Sequence, residues 1–163
     1  GKNVAEFGCG SGYYTRLLIQ ANARHIWAID ISPTMIKNLP RGQITAIIGD
    51  ANTVQLNRKF DVIFSAGMLE FTSNYKSILQ NMVNHSYDHT ELILLIPINN
   101  IFGKLYKFFH KTHGITIHLF TIHQLQQLAL QTNWQISKIL RCGLFNLAIK
   151  LIRVLPEKNC INW

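Results

Sequence analysis

The sequence predicts an α/β fold: a doubly wound, mostly parallel sheet of six to seven strands with helices on both faces. Three observations predict it. Short apolar runs rich in β-branched residues alternate with segments of helical spacing, as buried parallel strands and their crossover helices do. The first run leads into three alternate glycines, Gly8, Gly10 and Gly12. Hydrophobic residues make up 48% of the chain, enough for a buried core.

In the first half, strand and helix alternate regularly. A strand at "NVAEF" runs into the glycines, and the helix "GYYTRLLIQAN" after them repeats its apolar residues on one face. A second strand, "HIWAIDI", is followed by Ser32 as a helix N-cap and Pro33 at the first helical position, which start the helix "TMIKNL". The third strand, "ITAIIGD", ends at Asp50.

The second half continues the pattern. "FDVIFSAG" is the fourth strand, "NYKSILQNMVNHS" a helix and "ELILLIPI" the fifth strand. "TIHQLQQLALQTN" is an amphipathic helix with Leu125, Leu128 and Ala129 inward, and "WQISKILRCG" alternates like a sixth strand. We interpret "LFNLAIKLIRVL" as a helix with Asn146, Lys150 and Arg153 on one face. With no linker or repeat in it, the chain is expected to form one domain over residues 1–163.

The net charge and the cysteines bear on the partners and the cellular location of the protein. A net charge of +8 fits an anionic partner, whether nucleic acid, an acidic membrane surface or a phosphorylated substrate, and equally fits a solvated basic surface. The three cysteines form no CxxC pair, so neither a disulfide framework nor a zinc site is expected, and a cytoplasmic location is the simplest. No apolar run approaches the ~18 residues that span a bilayer.

The glycines after the first strand predict a ligand site, because glycine lets the backbone approach a ligand beside a helix N-terminus. The dinucleotide motif G-x-G-x-x-G fails, since Tyr13 and Thr15 stand where its last glycine would be. The Gly-Lys-Ser/Thr ending of a phosphate-binding loop is absent too. What remains is E-x-G-x-G-x-G, beginning at Glu6.

Three further segments accompany this pattern: "AIDIS" with Asp30, "IIGDA" with Asp50, and the run "DVIFSAGMLEF". Together they resemble the class I S-adenosylmethionine-dependent methyltransferases, a Rossmann-like family. The resemblance is to the small-molecule type (methyltransferase type 11-like) and covers nearly the whole chain in order. It implies S-adenosylmethionine as cofactor, with Asp30 on the ribose hydroxyls, Asp50 on the adenine amino group and Glu6 towards the ammonium. The implied cofactor-binding residues are Glu6, Gly8, Cys9, Gly10, Gly12, Asp30, Ile31, Met35, Asp50, Ala51 and Ser65.

Four of these residues have a structural alternative. Asp30 can cap the helix that begins after Ser32, and Asp50 can form an Asx-turn with Asn52. Glu6 can be a buried acid paired with a nearby base. Cys9 is expected to be a small loop residue rather than a nucleophile.

The resemblance implies methyl transfer to a small molecule, with oxygen as the expected acceptor atom. His113 and His118 lie in the segment expected to cover the acceptor and are candidate bases, although a surface position is the stronger expectation for each. No metal site is expected. The stretch Ser65 to Met68 lacks the [DN]-P-P-[FY] motif of enzymes that methylate base amino groups, which argues against nucleic acid. Glu70-Phe71 stands where many relatives have Glu-His.

Two basic amphipathic stretches bear on partners, "FGKLYKFFHKTHG" and "LFNLAIKLIRVL". We expect both to pack on the sheet with their lysines extended to solvent. The alternative is peripheral contact with a membrane, which would suit a lipid-like or anionic acceptor. The oligomeric state is left open.

The chain also departs from the family pattern. The helices that usually precede the first strand are not seen. With a helix predicted after Gly143 and only the very short "CINW" at the end, either the usual last strand is missing or residues 144–154 are misassigned. A second hypothesis is therefore a non-catalytic or vestigial cofactor-binding domain that acts with a partner. A third, suggested by the charge alone, is an RNA methyltransferase.

Overall fold

The computed structural model describes residues 1–144 and 146–154. Seven strands and five helices make up the described chain, with a short 3-10 turn at Leu69–Phe71. The strands are β1 Asn3–Phe7, β2 His25–Asp30, β3 Ile44–Ile48, β4 Phe60–Ala66, β5 Ser86–Pro97, β6 Trp134–Cys142 and β7 Asn146–Arg153. The helices are α1 Tyr13–Gln20, α2 Pro33–Lys37, α3 Tyr75–Asn84, α4 Ile101–Thr112 and α5 Ile122–Gln131.

The strands form one sheet in the order β3-β2-β1-β4-β5-β7-β6. The first five strands pair in parallel, and β7 lies antiparallel between β5 and β6. This confirms the prediction of a doubly wound, mostly parallel sheet. The strand order reverses between β1 and β4, and in such sheets the carboxyl ends of the strands beside the reversal open a crevice for a ligand.

Local signals start the helices, and the N-cap at Ser32 is as the sequence predicts. The Ser32 hydroxyl accepts a hydrogen bond from the Met35 N–H, and Pro33 occupies the first turn of α2. Thr121 and Gln124 form a reciprocal capping box at the start of α5. The predicted inward residues of α5 are buried: Leu125, Leu128 and Ala129.

The sheet has an apolar core on each face. The larger core contains Trp134, Phe7 and Phe60, together with Leu79 of α3 and Leu128 of α5. The smaller core lies on the other face, where Val4, Ile26 and Phe64 pack with residues of α1 and α2. Helices on both faces bury the sheet, as parallel strands require.

The helix that we predicted after Gly143 is wrong, because Asn146–Arg153 is the strand β7. Its buried positions alternate, at Leu147, Ile149 and Leu151, and both of its edges pair with neighbouring strands. Of the two alternatives for the closing strand, the second holds: the strand is present and the segment was misassigned, since β6 and β7 form that antiparallel pair. The "CINW" segment lies outside the described residues.

The prediction that "FGKLYKFFHKTHG" packs on the sheet is also wrong. It forms α4, whose apolar residues Phe102, Leu105, Phe108 and Phe109 are exposed, whereas Gly103 is buried against the chain. Within the described residues, no helix combines the length and apolar character that crossing a membrane requires.

Candidate functional site

A cavity of about 320 Å³ opens at the carboxyl ends of β1, β2 and β3. Backbone from the glycine turn forms one wall, and the turn after β4 forms the opposite wall. Its apolar lining, beside the acids Asp30 and Asp50, suits a ligand with both polar and apolar parts. The lining residues are Gly8, Ile29, Asp30, Ile31, Gly49, Asp50, Ala51, Asn52, Met68, Phe71, Thr72 and Ile78.

Two glycines show why this turn needs residues without side chains. Gly8 has φ +75, and a Cβ there would stand 2.6 Å from the Met68 Cβ, so only glycine lets the two walls approach. Gly10 has φ +52, and no atom lies within 4 Å of the place where its Cβ would stand. The turn therefore presents bare backbone to open space.

Asp30, at the end of β2, joins the glycine turn to the next helix. Its Oδ2 accepts a hydrogen bond of 2.8 Å from the Gly10 N–H, and its Oδ1 accepts one of 2.9 Å from the Ser32 N–H. An ionised carboxylate has about four acceptor positions, so roughly two remain for ligand hydroxyls. The turn and the strand end are held in one geometry, with acceptor capacity left in the cavity.

Asp50 follows β3 and occupies the same cavity. Its Oδ1 accepts a hydrogen bond of 2.8 Å from the Asn52 N–H, which is the Asx-turn considered above. Because Asp50 is exposed and this bond occupies one oxygen, the carboxylate can still accept a donor from a ligand.

Glu6 lies beneath the glycine turn and is only 2% exposed. Its Oε2 accepts a hydrogen bond of 2.6 Å from the Thr15 hydroxyl, so the partner is an alcohol of α1 and not a base. Burial raises the pKa of Glu6 to about 7, although the Thr15 hydrogen bond acts in the opposite direction. A cation nearby would favour the ionised form.

The other predicted cofactor residues lie around the cavity rather than in its lining. Gly12 begins α1, where a Cβ would stand 2.6 Å from Pro40. Met35 is exposed on α2, and Ser65 is buried in β4 with no hydrogen-bond partner for its Oγ among the described residues. Burial, with the charges of Glu6 and Asp30, raises the pKa of the Cys9 thiol to about 12, so Cys9 is not a nucleophile at neutral pH.

The two candidate bases do not line this cavity. His113 caps the exposed end of α4, and its Nδ1 lies 2.9 Å from the Phe109 carbonyl oxygen. His118 lines a second cavity of about 290 Å³ beside α5 with Tyr75 and His123. In the part of the chain that the structure describes, no three His, Cys, Asp or Glu side chains cluster as metal ligands would.

Several lining residues were not singled out from the sequence. Met68, Phe71 and Thr72 follow β4. The run "SAGMLEF" indicated that this turn belongs to the site, but it did not indicate which of its residues line the cavity. Asn52 was considered only as a turn residue. Ile78 reaches the cavity from α3, and no local pattern distinguishes it from a core residue.

A comparison with protein families matches residues 4–86, just over half of the chain, to the family described as "Methyltransferase domain". The matched segment contains the glycine turn, both cavity acids and the turn after β4. The family match and the cavity therefore occupy the same part of the molecule.

Two curated relatives are malonyl-[acyl-carrier protein] O-methyltransferases. The one from Anoxybacillus flavithermus is 25% identical over 131 residues, which are 77% of this chain and 48% of the relative. The one from Bacillus cereus is 30% identical over 87 residues, 50% of this chain and 32% of the relative. The ribosomal protein L11 methyltransferase of Laribacter hongkongensis is 34% identical over 67 residues, 39% of this chain and 23% of that protein. The chain thus spans about half the length of these relatives or less.

Solved structures show the same fold. An S-adenosylmethionine dependent methyltransferase from Mesorhizobium loti superposes with a TM-score of 0.79 at 15% identity, covering 94% of this chain and 91% of that one. Magnesium protoporphyrin IX methyltransferase from Synechocystis gives a TM-score of 0.75 at 17% identity, covering 94% of this chain and 74% of that one. Fold, cavity and family match agree, and this protein belongs to the methyltransferase domain family, with the fold of the class I S-adenosylmethionine-dependent methyltransferases.

Proposed function

We propose that the protein is an S-adenosylmethionine-dependent methyltransferase that acts on oxygen of a small-molecule acceptor, and that the chain is a single domain binding this cofactor. One observation carries the proposal. Asp30 and Asp50, at the ends of neighbouring strands, line one cavity with the bare backbone of Gly8. The family match and the O-methyltransferase relatives support the reaction class.

The residues around the cavity fit the chemical groups of S-adenosylmethionine. Asp30 has acceptor positions left for a ribose diol, and charge-assisted hydrogen bonds are roughly twice as strong as neutral ones. Asp50 can accept from an adenine amino group, and Ile31 and Ala51 offer apolar surface for its ring. Glu6 provides a carboxyl group for a cation at the end of β1.

The protein's part in the reaction is to bind, align and exclude water. S-adenosylmethionine supplies a methyl group on a sulfonium, whose sulfur keeps the electron pair of the broken bond. The glycine turn and the two aspartates would hold the cofactor in one orientation, which would lower the entropic part of the barrier. Met68 and Phe71 line the same cavity and would shield part of a bound cofactor from water.

The cofactor assignment is tested by calorimetric titration of the purified protein with S-adenosylmethionine and S-adenosylhomocysteine, with NAD as the control. We expect micromolar binding of the first two and no binding of NAD. A protein that binds NAD instead, or none of the three, would contradict the proposal.

Two alternatives make different predictions. A non-catalytic domain would bind the cofactor and fail to methylate any hydroxyl acceptor unless a partner protein is added. An RNA methyltransferase would bind RNA with steep salt dependence, because each neutralised phosphate releases counterions. The absence of RNA binding at physiological salt would eliminate the second alternative.

We further propose that this is a cytoplasmic protein that contacts an anionic membrane through α4 and takes a lipid-like acceptor. In α4, Ile101 is 77% exposed, Leu105 65%, Phe108 64% and Phe109 60%. These four residues recur at the spacing of one helix face. Such a face in solvent is unfavourable, so a covering surface would stabilise it.

Charge and position support a membrane as that surface. Lys104, Lys107 and Lys111 lie together beside the apolar face, as in helices that lie flat on anionic lipid. On its inner side α4 places His110 against Phe71, with ring centroids 6.0 Å apart. Since Phe71 lines the cofactor cavity, α4 would bring that cavity close to the membrane.

Co-sedimentation with phosphatidylglycerol and phosphatidylcholine vesicles tests this contact. We expect binding to the anionic vesicles, and its loss in the double variant Leu105→Ser, Phe108→Ser. Leu130→Ser is a matched control, because Leu130 is an exposed leucine of α5. If the double variant binds as well as the wild type, or if it instead dissociates a homodimer in solution, the membrane contact is wrong.

A further inference from the structure

A second buried acid, Glu70, lies outside the cofactor contacts described so far. It sits in the 3-10 turn after β4 and is only 3% exposed. Its Oε2 has no hydrogen-bond partner among the described residues, and no described basic side chain forms a salt bridge with it. The His118 N–H donates to the Glu70 carbonyl oxygen at 2.7 Å, which holds the turn in place.

Keeping such a group costs stability. A buried polar atom without a partner costs about 1–3 kcal/mol, and more when it is charged. Burial raises the pKa of Glu70 to about 7, although a hydrogen bond from its own backbone acts in the opposite direction. Glu6, the comparable buried acid, has the Thr15 hydroxyl as a partner. Unsatisfied buried groups of this kind are rare in folded proteins and concentrate at functional sites.

The surroundings of Glu70 indicate where a partner would lie. Its neighbours in the chain, Met68 and Phe71, line the cofactor cavity. Gly67 has φ +66, and the Glu70 Oε1, at 3.8 Å, is the one described atom within 4 Å of the place where a Gly67 Cβ would stand. The Oε1 side of the carboxyl group therefore lies beside open space next to the cavity wall, while Oε2 is enclosed.

Two tyrosines approach the same carboxyl from other elements. Burial raises the pKa of Tyr106 on α4, and the charge of Glu70 adds to it. Burial also raises the pKa of Tyr14 on α1, with contributions from Tyr13, Cys142 and Glu70. The charge of Glu70 therefore reaches both α1, the helix after the glycine turn, and α4, the helix after β5.

We propose that the Glu70 carboxyl group is the acceptor subsite: it binds the hydroxyl group that is to be methylated and takes its proton. This rests on the proposed methyltransferase function. As the oxygen forms its bond to the methyl carbon, its O–H bond breaks, the proton passes to the Glu70 carboxylate, and sulfur keeps the electrons of the S–C bond. The products are a methyl ether, a thioether and a neutral carboxylic acid, so atoms and charge balance.

The subsite selects a class of acceptor. An alcohol or a phenol can donate a hydrogen bond to Glu70, whereas a free carboxylate would meet a like charge in a buried setting. Titratable groups facing this region are Tyr14 and Cys142 on one side, and Tyr106 with His110 on α4. Both tyrosines have raised pKa values, so neither competes with Glu70 for the proton near neutral pH.

Carboxyl-carbon NMR tests the subsite without knowing the natural acceptor. The sequence has four glutamates, so protein labelled with ¹³C-glutamate gives four side-chain carboxyl signals, and Glu70→Gln identifies one of them. The probes are phenol and anisole, which differ in the hydroxyl donor, added in the presence of S-adenosylhomocysteine. We expect phenol to move the Glu70 signal and lower its pKa, and anisole to leave both unchanged.

If phenol leaves the chemical shift of the Glu70 carboxyl signal unchanged, or if anisole shifts it equally, the proposed acceptor subsite is wrong. Calorimetry with S-adenosylhomocysteine on the same sample separates this failure from a failure of the cofactor assignment. Glu70→Gln should bind S-adenosylhomocysteine as the wild type does, and Asp88→Asn, an exposed acid, serves as the control. For an alcohol or phenol that the wild type methylates, Glu70→Gln should lower kcat by about 10²- to 10⁴-fold.

Discussion

At the scale of single residues, structural and ligand roles coincide in the two cavity acids. Asp30 accepts backbone N–H groups from both the glycine turn and the start of α2, and Asp50 forms the Asx-turn with Asn52. The bonds from Ser32 and Asn52 correspond to the structural alternatives considered for these acids, yet all three bonds leave acceptor positions free. They position the carboxylates before a ligand arrives, which reduces the entropic cost of binding.

Replacing Asp30 by Asn tests its ligand role. We expect S-adenosylhomocysteine to bind roughly 10- to 100-fold more weakly, because hydrogen bonds to a charged group contribute about 1.5–3 kcal/mol. Calorimetry measures the change, and Asp88→Asn is the exposed control. Affinity unchanged in Asp30→Asn would show that the ribose is held elsewhere.

The buried acids Glu6 and Glu70 make stability depend on pH. Burial raises the pKa of each to about 7, so between about pH 4.5 and pH 7 the folded state holds protons that the unfolded chain has lost. Their contribution is therefore greatest at low pH and is lost as the pH rises through 7, by roughly 3 kcal/mol per group. Urea unfolding at about pH 5 and about pH 8 measures this.

Glu6→Gln should remove its share of this pH dependence, since the amide does not titrate. S-adenosylmethionine, as a cation, should bind more tightly as Glu6 ionises. A pH dependence in Glu6→Gln equal to that of the wild type would contradict this account of the buried acid.

At the scale of elements, tertiary packing decides the two segments that local pattern misassigned. Seen alone, "LFNLAIKLIRVL" fits a helix, but pairing on both edges makes residues 146–153 a strand. The apolar face of α4 would normally turn inward, but Gly103 forms the close contact with the chain and the face points outward.

The β7 assignment has a direct test. In a strand, Ile149 is 1% exposed and Ile152 39%, whereas in a helix these two positions would share a face. We expect Ile149→Ala to lower the free energy of unfolding by about 2–4 kcal/mol and Ile152→Ala to have much less effect. Equal losses in urea unfolding would favour the helix.

The attachment of α4 depends on Gly103. A Cβ there would collide with the Ile98 carbonyl oxygen, so Gly103→Ala must displace the helix. We expect a loss of about 1–3 kcal/mol in the free energy of unfolding and faster proteolysis within α4. Lys104→Ala is the control in the same helix, and equal stability of the two variants would mean that the helix is not held at Gly103.

At the scale of the whole molecule, the cavity joins separate parts of the chain. The glycine turn, the ends of β2 and β3, the turn after β4 and α3 all contribute to its lining. A ligand that bridges them binds the folded state alone, so it stabilises the entire sheet. The cavity is thus a property of the strand order and not of one motif.

Ligand-induced stability follows from this arrangement. S-adenosylhomocysteine at about 100 times its Kd should raise the free energy of unfolding by about 2.7 kcal/mol, and NAD should not. Thermal unfolding with each compound measures the effect. Stabilisation by both to the same extent would indicate a less selective cavity than the one proposed.

The sequence by itself determined the parallel half of the sheet, the cap at Ser32, and the acids Asp30 and Asp50 at the ends of their strands. These features depend on local signals: apolar strand runs, capping residues and acids at strand ends. Only the tertiary structure decided β7, the outward face of α4, and the positions of Ile78 and Glu70. The conformation and burial of these residues depend on contacts with parts of the chain that are distant in sequence. A short local pattern reads the same whether its segment pairs in a sheet, packs in the core or stays exposed.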